Sequence, residues 1–395
     1  MATKTLVQNA FSKGEGVFSM VPCWVPRSFN RPGKRLRLHP DDYYSFGVNR
    51  GAIVERWFAS TTRAMAPGAA EDDGLSYIST EYGNVLFRDA MDDLGADLIG
   101  AELKETYGKF PMYAKFFDYQ GPLFHHLHQG QEHAESVGMN SKPEHYYFPV
   151  QYNNHLGDFP VTYFGFDPSI KKEEVLECLL DFNNFDTHIT RLSRAFRLEL
   201  GTGWYTPPRV LHAPGSLLTY EPQWNSDVVS VWENVVSGEA MNYNLLSACV
   251  LEDRVHDIDY IFGQMDWDAN ICPDYRARYF RPPLQISKSP SHEEKWICYG
   301  NEYIGGKELI IYPGQTYISK DIAAYGAIVI QGYGSFGAHR CESATLIRFG
   351  QQTADEFFVS EDAAKKGITI TNRAIHEPLV ILKHFGPNCG MPREM

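Results

Sequence analysis

The chain has 395 residues, 43% of them hydrophobic, and a formal net charge of -13. That length suits two domains or one large one, and the acidic balance excludes the basic face that nucleic-acid binding requires. The same charge works against adhesion to an anionic membrane, and no apolar run reaches the roughly 18 residues of a membrane span.

The first residues lack the apolar core of a signal peptide. The seven cysteines show no CxxC spacing and an odd count, which argues against a disulfide framework. A reducing, cytoplasmic compartment is therefore expected, with neither nucleic acid nor membrane as partner. Aromatic residues are abundant, glycine and proline frequent, and apolar runs short, a texture of many strands joined by turns. The first 70 residues carry the weakest pattern, and Asn30-Arg31-Pro32-Gly33-Lys34 reads as a loop. Strands are predicted over 110–118, 123–128 and 144–150. The period turns helical over 167–198, opened by Asp167-Pro168-Ser169, with a second helical stretch near 190–198. Strands resume at 203–205 and 216–220. Residues 252–292 are charged and contain Pro282 and Pro283, and they read as an irregular connector. Further strands are predicted over 308–312, 327–330, 368–370 and 379–382, with a hairpin turn at Gly332-Tyr333-Gly334. This tail reads as a second, smaller β-sandwich, which has no His-x-His pair and is expected to hold no metal.

The chemistry concentrates in Phe124-His125-His126-Leu127-His128, followed by Lys142-Pro143-Glu144. On a strand, His126 and His128 point to one face and His125 to the other. Two imidazoles and the Glu144 carboxylate suit a divalent first-row metal. His212, after the Pro207-Pro208 turn, is the fourth candidate ligand. His133 reads as a loop residue. Trp57, Tyr147, Trp204 and Trp224 are assigned to core packing ahead of a sugar pocket, and Ser226 and Asp227 to a turn.

The order and spacing of five segments resemble the type I phosphomannose isomerase family of cupins, from about residue 50 to the end. Val54-Glu55-Arg56-Trp57-Phe58-Ala59-Ser60 is similar to an early Glu-x-Trp-x-x-Ser segment. The run 110–118 is similar to the strand entering the metal site. Phe124 to Gln129 falls where the family has Gln-x-His-Pro, and Lys142-Pro143-Glu144 resembles its Lys-x-Glu strand. Pro208 to Ala213, with Glu221 to Asp227, resembles its last metal-ligand and Ser-Asp elements. The resemblance implies a mainly β fold. Residues 1–50 would be an N-terminal extension and 51–251 a metal-binding cupin (jelly-roll) domain with a helical insertion at about 167–200. A connector (252–292) would lead to a C-terminal cupin-like β-sandwich (293–395). It implies one divalent ion held by His126, His128, Glu144 and His212, Zn first, with Mn, Fe, Ni or Co also suited to this ligand set. Lys142, Lys115 and Glu221 are the implied catalytic groups. The partner is a small carbohydrate; homo-oligomer formation stays open.

Two departures stand out. His126 occupies the family's Gln position, and Val231 stands where an arginine serves the isomerisation. An isopropyl group cannot replace a guanidinium in charge stabilisation. The expected activity is therefore aldose–ketose isomerisation through an enediolate, of a sugar or sugar phosphate. The alternatives are another metal-dependent carbohydrate reaction (epimerase, lyase or oxygenase) or a non-catalytic sugar-binding cupin.

Overall fold

The computed structural model describes residues 3–29, 31–66, 68–153 and 160–393. Asn30 of the expected loop lies outside them. Two antiparallel sheets form a first sandwich around the histidines. The larger has seven strands in the order Phe280–Arg281, Gly203–Thr206, Glu144–Tyr147, Thr219–Trp224, Met112–Phe117, Ala52–Phe58 and Cys23–Arg27. The smaller has five, in the order Ser193–Arg197, Val161–Phe166, His212–Ala213, His126–Leu127 and Ser230–Val231. Phe164 of the small sheet packs with Tyr146, Trp204 and Phe117 of the large one. The outer face of the small sheet is covered by the helix Lys172–Leu180. Val175 and Leu179 meet Leu127, Phe166 and Leu211 there.

A second sandwich joins a nine-stranded and a four-stranded sheet. Its core contains Leu309, Ile311, Val329, Phe357, Ile370 and Ile381. Inside it the buried Lys383 ammonium donates to Glu294 (2.6 Å), Asp321 (2.8 Å) and Ser319 (2.9 Å). The strands Val17–Val21, Tyr77–Thr80 and Gly83–Leu86 belong to the nine-stranded sheet, although they precede the histidines by tens of residues. Residues 1–50, read as an extension, thus contribute a strand to each sandwich. The sandwiches meet sheet on sheet: Trp24, Phe58, Phe116 and Tyr220 pack against Ile297, Ile328, Val380 and Leu382.

Alternation explains the placement. On Glu144–Tyr147, Glu144 and Tyr146 turn inward, where the Tyr146 hydroxyl donates to Glu144. His145 and Tyr147 turn outward, to the Tyr299 carbonyl (2.9 Å) and to Glu308 (2.7 Å).

Four expectations are corrected. The stretch 190–198 is not helical. After a single turn at Ile189–Leu192, the strand Ser193–Arg197 pairs with Val161–Phe166. Its Phe196 packs on Trp204, with ring centroids 5.0 Å apart. The segment 252–292 is not irregular. It holds the helices Ile258–Gly263, Trp267–Asn270 and Tyr275–Tyr279, the first two capped by Asp257 and Asp266. Helices this short complete too few turns for a period to show. His133 lies in the helix Gln131–Ser136. Gly332 is no hairpin, because Tyr325–Gln331 and Tyr333–Phe336 belong to different sheets. The chain crosses from one sheet to the other at a φ of 80°. A Cβ there would lie 2.6 Å from the Pro378 carbonyl oxygen. Among the described residues no helix is long and apolar enough to cross a membrane.

Candidate metal centre

His126 and His212 are direct partners in the small sheet. Leu127, between His126 and His128, points into the helix-covered layer and locks the strand's facing. One ligating nitrogen from each of His126, His128 and His212 lies within 4.8 Å of the others, and all three residues are buried. Each Nδ1–H donates to a carbonyl: His126 to Phe124 (2.9 Å), His128 to Val228 (2.6 Å) and His212 to Val210 (2.8 Å). Those bonds fix the tautomer and leave each Nε2 lone pair aimed at the interior.

Glu144 reaches the cluster from the opposite sheet. Its Oε1 lies 3.0 Å from His212 Nε2, and its Oε2 lies 3.4 Å from His128 Nε2. Burial pushes His126 well below the ordinary imidazole range, helped by the neighbouring imidazoles. Burial and the Lys142 ammonium push His128 down to about 3. These two imidazoles are therefore neutral, the state a metal requires. Burial opposes the Glu144 carboxylate, yet the adjacent Lys142 ammonium favours it, and Glu144 is held well below the usual range. Glu144 Oε2 and His212 Nε2 are buried without a well-directed hydrogen bond. The donor set and these two atoms fit a divalent cation.

The lysines and Glu221 join the same cavity. Lys142 Nζ lies 3.2 Å from Glu144, 3.3 Å from His128 Nε2 and 3.5 Å from Glu221. Lys115 Nζ lies 3.2 Å from Glu221. Burial and Glu144 push Glu221 well above the usual carboxylate range, against the pull of both lysines. The structure thus gathers His126, His128, Glu144, His212, Lys142, Lys115 and Glu221 into one place. His125 points away and pairs with Glu233 at 3.2 Å.

Sequence reasoning missed part of the lining. Arg27 enters the cavity with its guanidinium on Glu55 (3.1 Å) and Asp227 (3.4 Å). Asp227, expected in a turn, instead faces Arg27 and accepts from the Met65 amide at 2.8 Å. Glu55 also accepts from Tyr119 (2.6 Å) and Trp57 (2.8 Å). Glu55 stood in the quoted Glu-x-Trp segment and could have been singled out there. Arg27 carried no signal. Its strand is the edge of the seven-stranded sheet, and a register shift between Val25 and Pro26 re-aims the residue that follows. Val231 is buried opposite His126 on the small sheet.

The two-sandwich fold is similar to that of solved phosphomannose isomerases. The mannose 6-phosphate isomerase of Bacillus subtilis is 15% identical with a TM-score of 0.61, covering 93% of this chain and 99% of that one. A mutant form of phosphomannose isomerase from Salmonella typhimurium is 10% identical with a TM-score of 0.59, covering 93% and 99%. Neither a protein-family model nor a curated protein sequence matches the chain.

Proposed function

We propose that the protein is a metal-dependent sugar isomerase interconverting an aldose and a ketose. One observation carries this reading. Three buried imidazoles converge with Glu144 in a cavity that also holds Lys142, Lys115 and Glu221. His126, His128, Glu144 and His212 would hold the ion, with Zn the first choice among the metals suited to this donor set. When bound, such an ion supplies Lewis-acid polarisation of adjacent sugar oxygens.

The side chains supply the proton transfer. Glu221, between two ammonium groups, takes the C–H proton next to the sugar carbonyl and returns it to the neighbouring carbon. The electron pair of the broken C–H bond becomes the double bond of an enediolate, and the hydroxyl proton beside it passes to the former carbonyl oxygen as the new carbonyl forms. Lys142 donates to the enediolate oxygen and offsets its charge, and Lys115 holds Glu221 in place. Isomerisation is redox-neutral within the sugar and needs no co-reactant. The likeness in fold to the mannose 6-phosphate isomerase of Bacillus subtilis supports the reading.

The test is incubation of metal-loaded protein with sugars in deuterated water. Incorporation of deuterium at the carbon beside the carbonyl, with aldose–ketose conversion, is expected. Stoichiometric metal with no exchange across an aldose and ketose panel would overturn the assignment. Oxygen uptake would point to an oxygenase instead.

A further inference from the structure

The charged side chains that line the cavity are already matched to one another, beside the hydroxyls of Tyr119 and Tyr146 and the imidazoles of His126 and His128. Its cations are Arg27, Lys115 and Lys142; its carboxylates are Glu55, Glu144, Glu221 and Asp227. Arg27 lies against two of these, Glu55 Oε1 and Oε2 at 3.1 Å each and Asp227 at 3.4 Å. Lys115 is held by Glu221 at 3.2 Å, and Lys142 by Glu144 at 3.2 Å. Even with a proton on Glu221, the other three carboxylates equal the three cations, so beyond the divalent ion at the imidazoles the side chains add no surplus of positive charge.

The rest of the wall is apolar. Phe29, Phe117, Leu123, Phe124 and Val229 line it, with Phe29 edge-on to Phe124 at 4.8 Å. Outward past Arg27 and Phe29, the cavity continues into a groove of about 960 Å³. The charged side chains added there are Arg31 and Glu239, one of each sign. A phosphate dianion entering the cavity would meet a carboxylate at each of Arg27, Lys115 and Lys142 and lose its hydration for little return. The overall charge of -13 opposes it at long range as well. Aromatic faces and matched hydrogen-bonding groups instead suit a neutral polyol, whose hydroxyls both donate and accept and whose C–H faces pack on rings.

We infer that the substrate is an uncharged, non-phosphorylated sugar, with Arg27, Glu55 and Asp227 acting as a hydrogen-bonding platform rather than as an anion clamp. This rests on the isomerase reading of the same site, but a different measurement tests it. Manganese-loaded protein is titrated calorimetrically with free aldoses and ketoses and with the corresponding 6-phosphates. The free sugars are expected to bind about tenfold or more tightly than their phosphate esters, a ratio set by charge matching. Equal or tighter binding of the phosphate ester would overturn the inference while leaving the isomerase reading intact. Absence of hydrogen exchange would overturn the isomerase reading, and the binding ratio would still decide the charge of the ligand.

Discussion

At the scale of single residues, His128 separates metal binding from folding. It is buried, and its Nδ1 is tied to Val228, so its Nε2 has no role in backbone packing. His128→Ala is expected to drop metal content from about one equivalent to well below it, with the fold kept. Elemental analysis beside circular dichroism reads both quantities, and retained stoichiometric metal would show the ligand set to be wrong. Lys142 is the complementary case, since it touches Glu144, His128 and Glu221 without being a ligand. Lys142→Met should keep the metal and lower turnover by about 10²–10⁴, the range typical of a positioned proton-transfer group. Unchanged turnover would remove Lys142 from the mechanism. These residues were legible because parity on two strands and the order of the segments point to the same face. Arg27 was not legible: its aim depends on an edge-strand irregularity, and no residue pattern announces one.

At the scale of elements, legibility followed length and period. The strand Met112–Phe117 and the strands of the last hundred residues alternate or run apolar long enough to be read. The helices Phe87–Leu94 and Ala101–Tyr107 and the strand Ser193–Arg197 were missed or misread, because a few residues cannot distinguish the two periods. The strand Glu356–Val359 carries a testable consequence. Arg56, from the first sandwich, is shared by Asp355 (2.8 Å) and Glu356 (3.2 Å) of the second. One cation cannot fully satisfy two buried carboxylates. Burial, with the Asp355 charge against the pull of Arg56, pushes Glu356 up to about 8. A carboxyl raised in the folded state contributes stability that is fully present below its unfolded pKa. That contribution is lost as the pH rises toward and through 8. Between pH 6 and 8.5 the wild type should lose roughly 2 kcal/mol relative to Glu356→Gln. Urea midpoints of both proteins at the two pH values measure this. Parallel pH slopes would show that Glu356 is ionised throughout.

At the scale of the whole molecule, the first sandwich holds the site but does not stand alone. The outer face of its seven-stranded sheet presents Trp24, Ile53, Phe58, Phe116, Tyr147 and Tyr220, all buried under the second sandwich. Burying side chains of this size contributes about 1.5–3 kcal/mol each. Six of them together rival the roughly 5–15 kcal/mol by which a whole domain is stable. The strand Val17–Val21 also pairs with Glu356–Val359, while the next strand, Cys23–Arg27, delivers Arg27 to the cavity. The position of Arg27 is thereby coupled to the C-terminal sheet. The intact chain should therefore melt in a single transition, with calorimetric and van't Hoff enthalpies in agreement. A chain ending at residue 292 should show no cooperative melt, should bind hydrophobic dyes and should not hold stoichiometric metal. A monomeric 1–292 chain that melts cooperatively and retains its metal would show the second sandwich to be an independent appendage. Loss of all three properties would make it part of the architecture that builds the site.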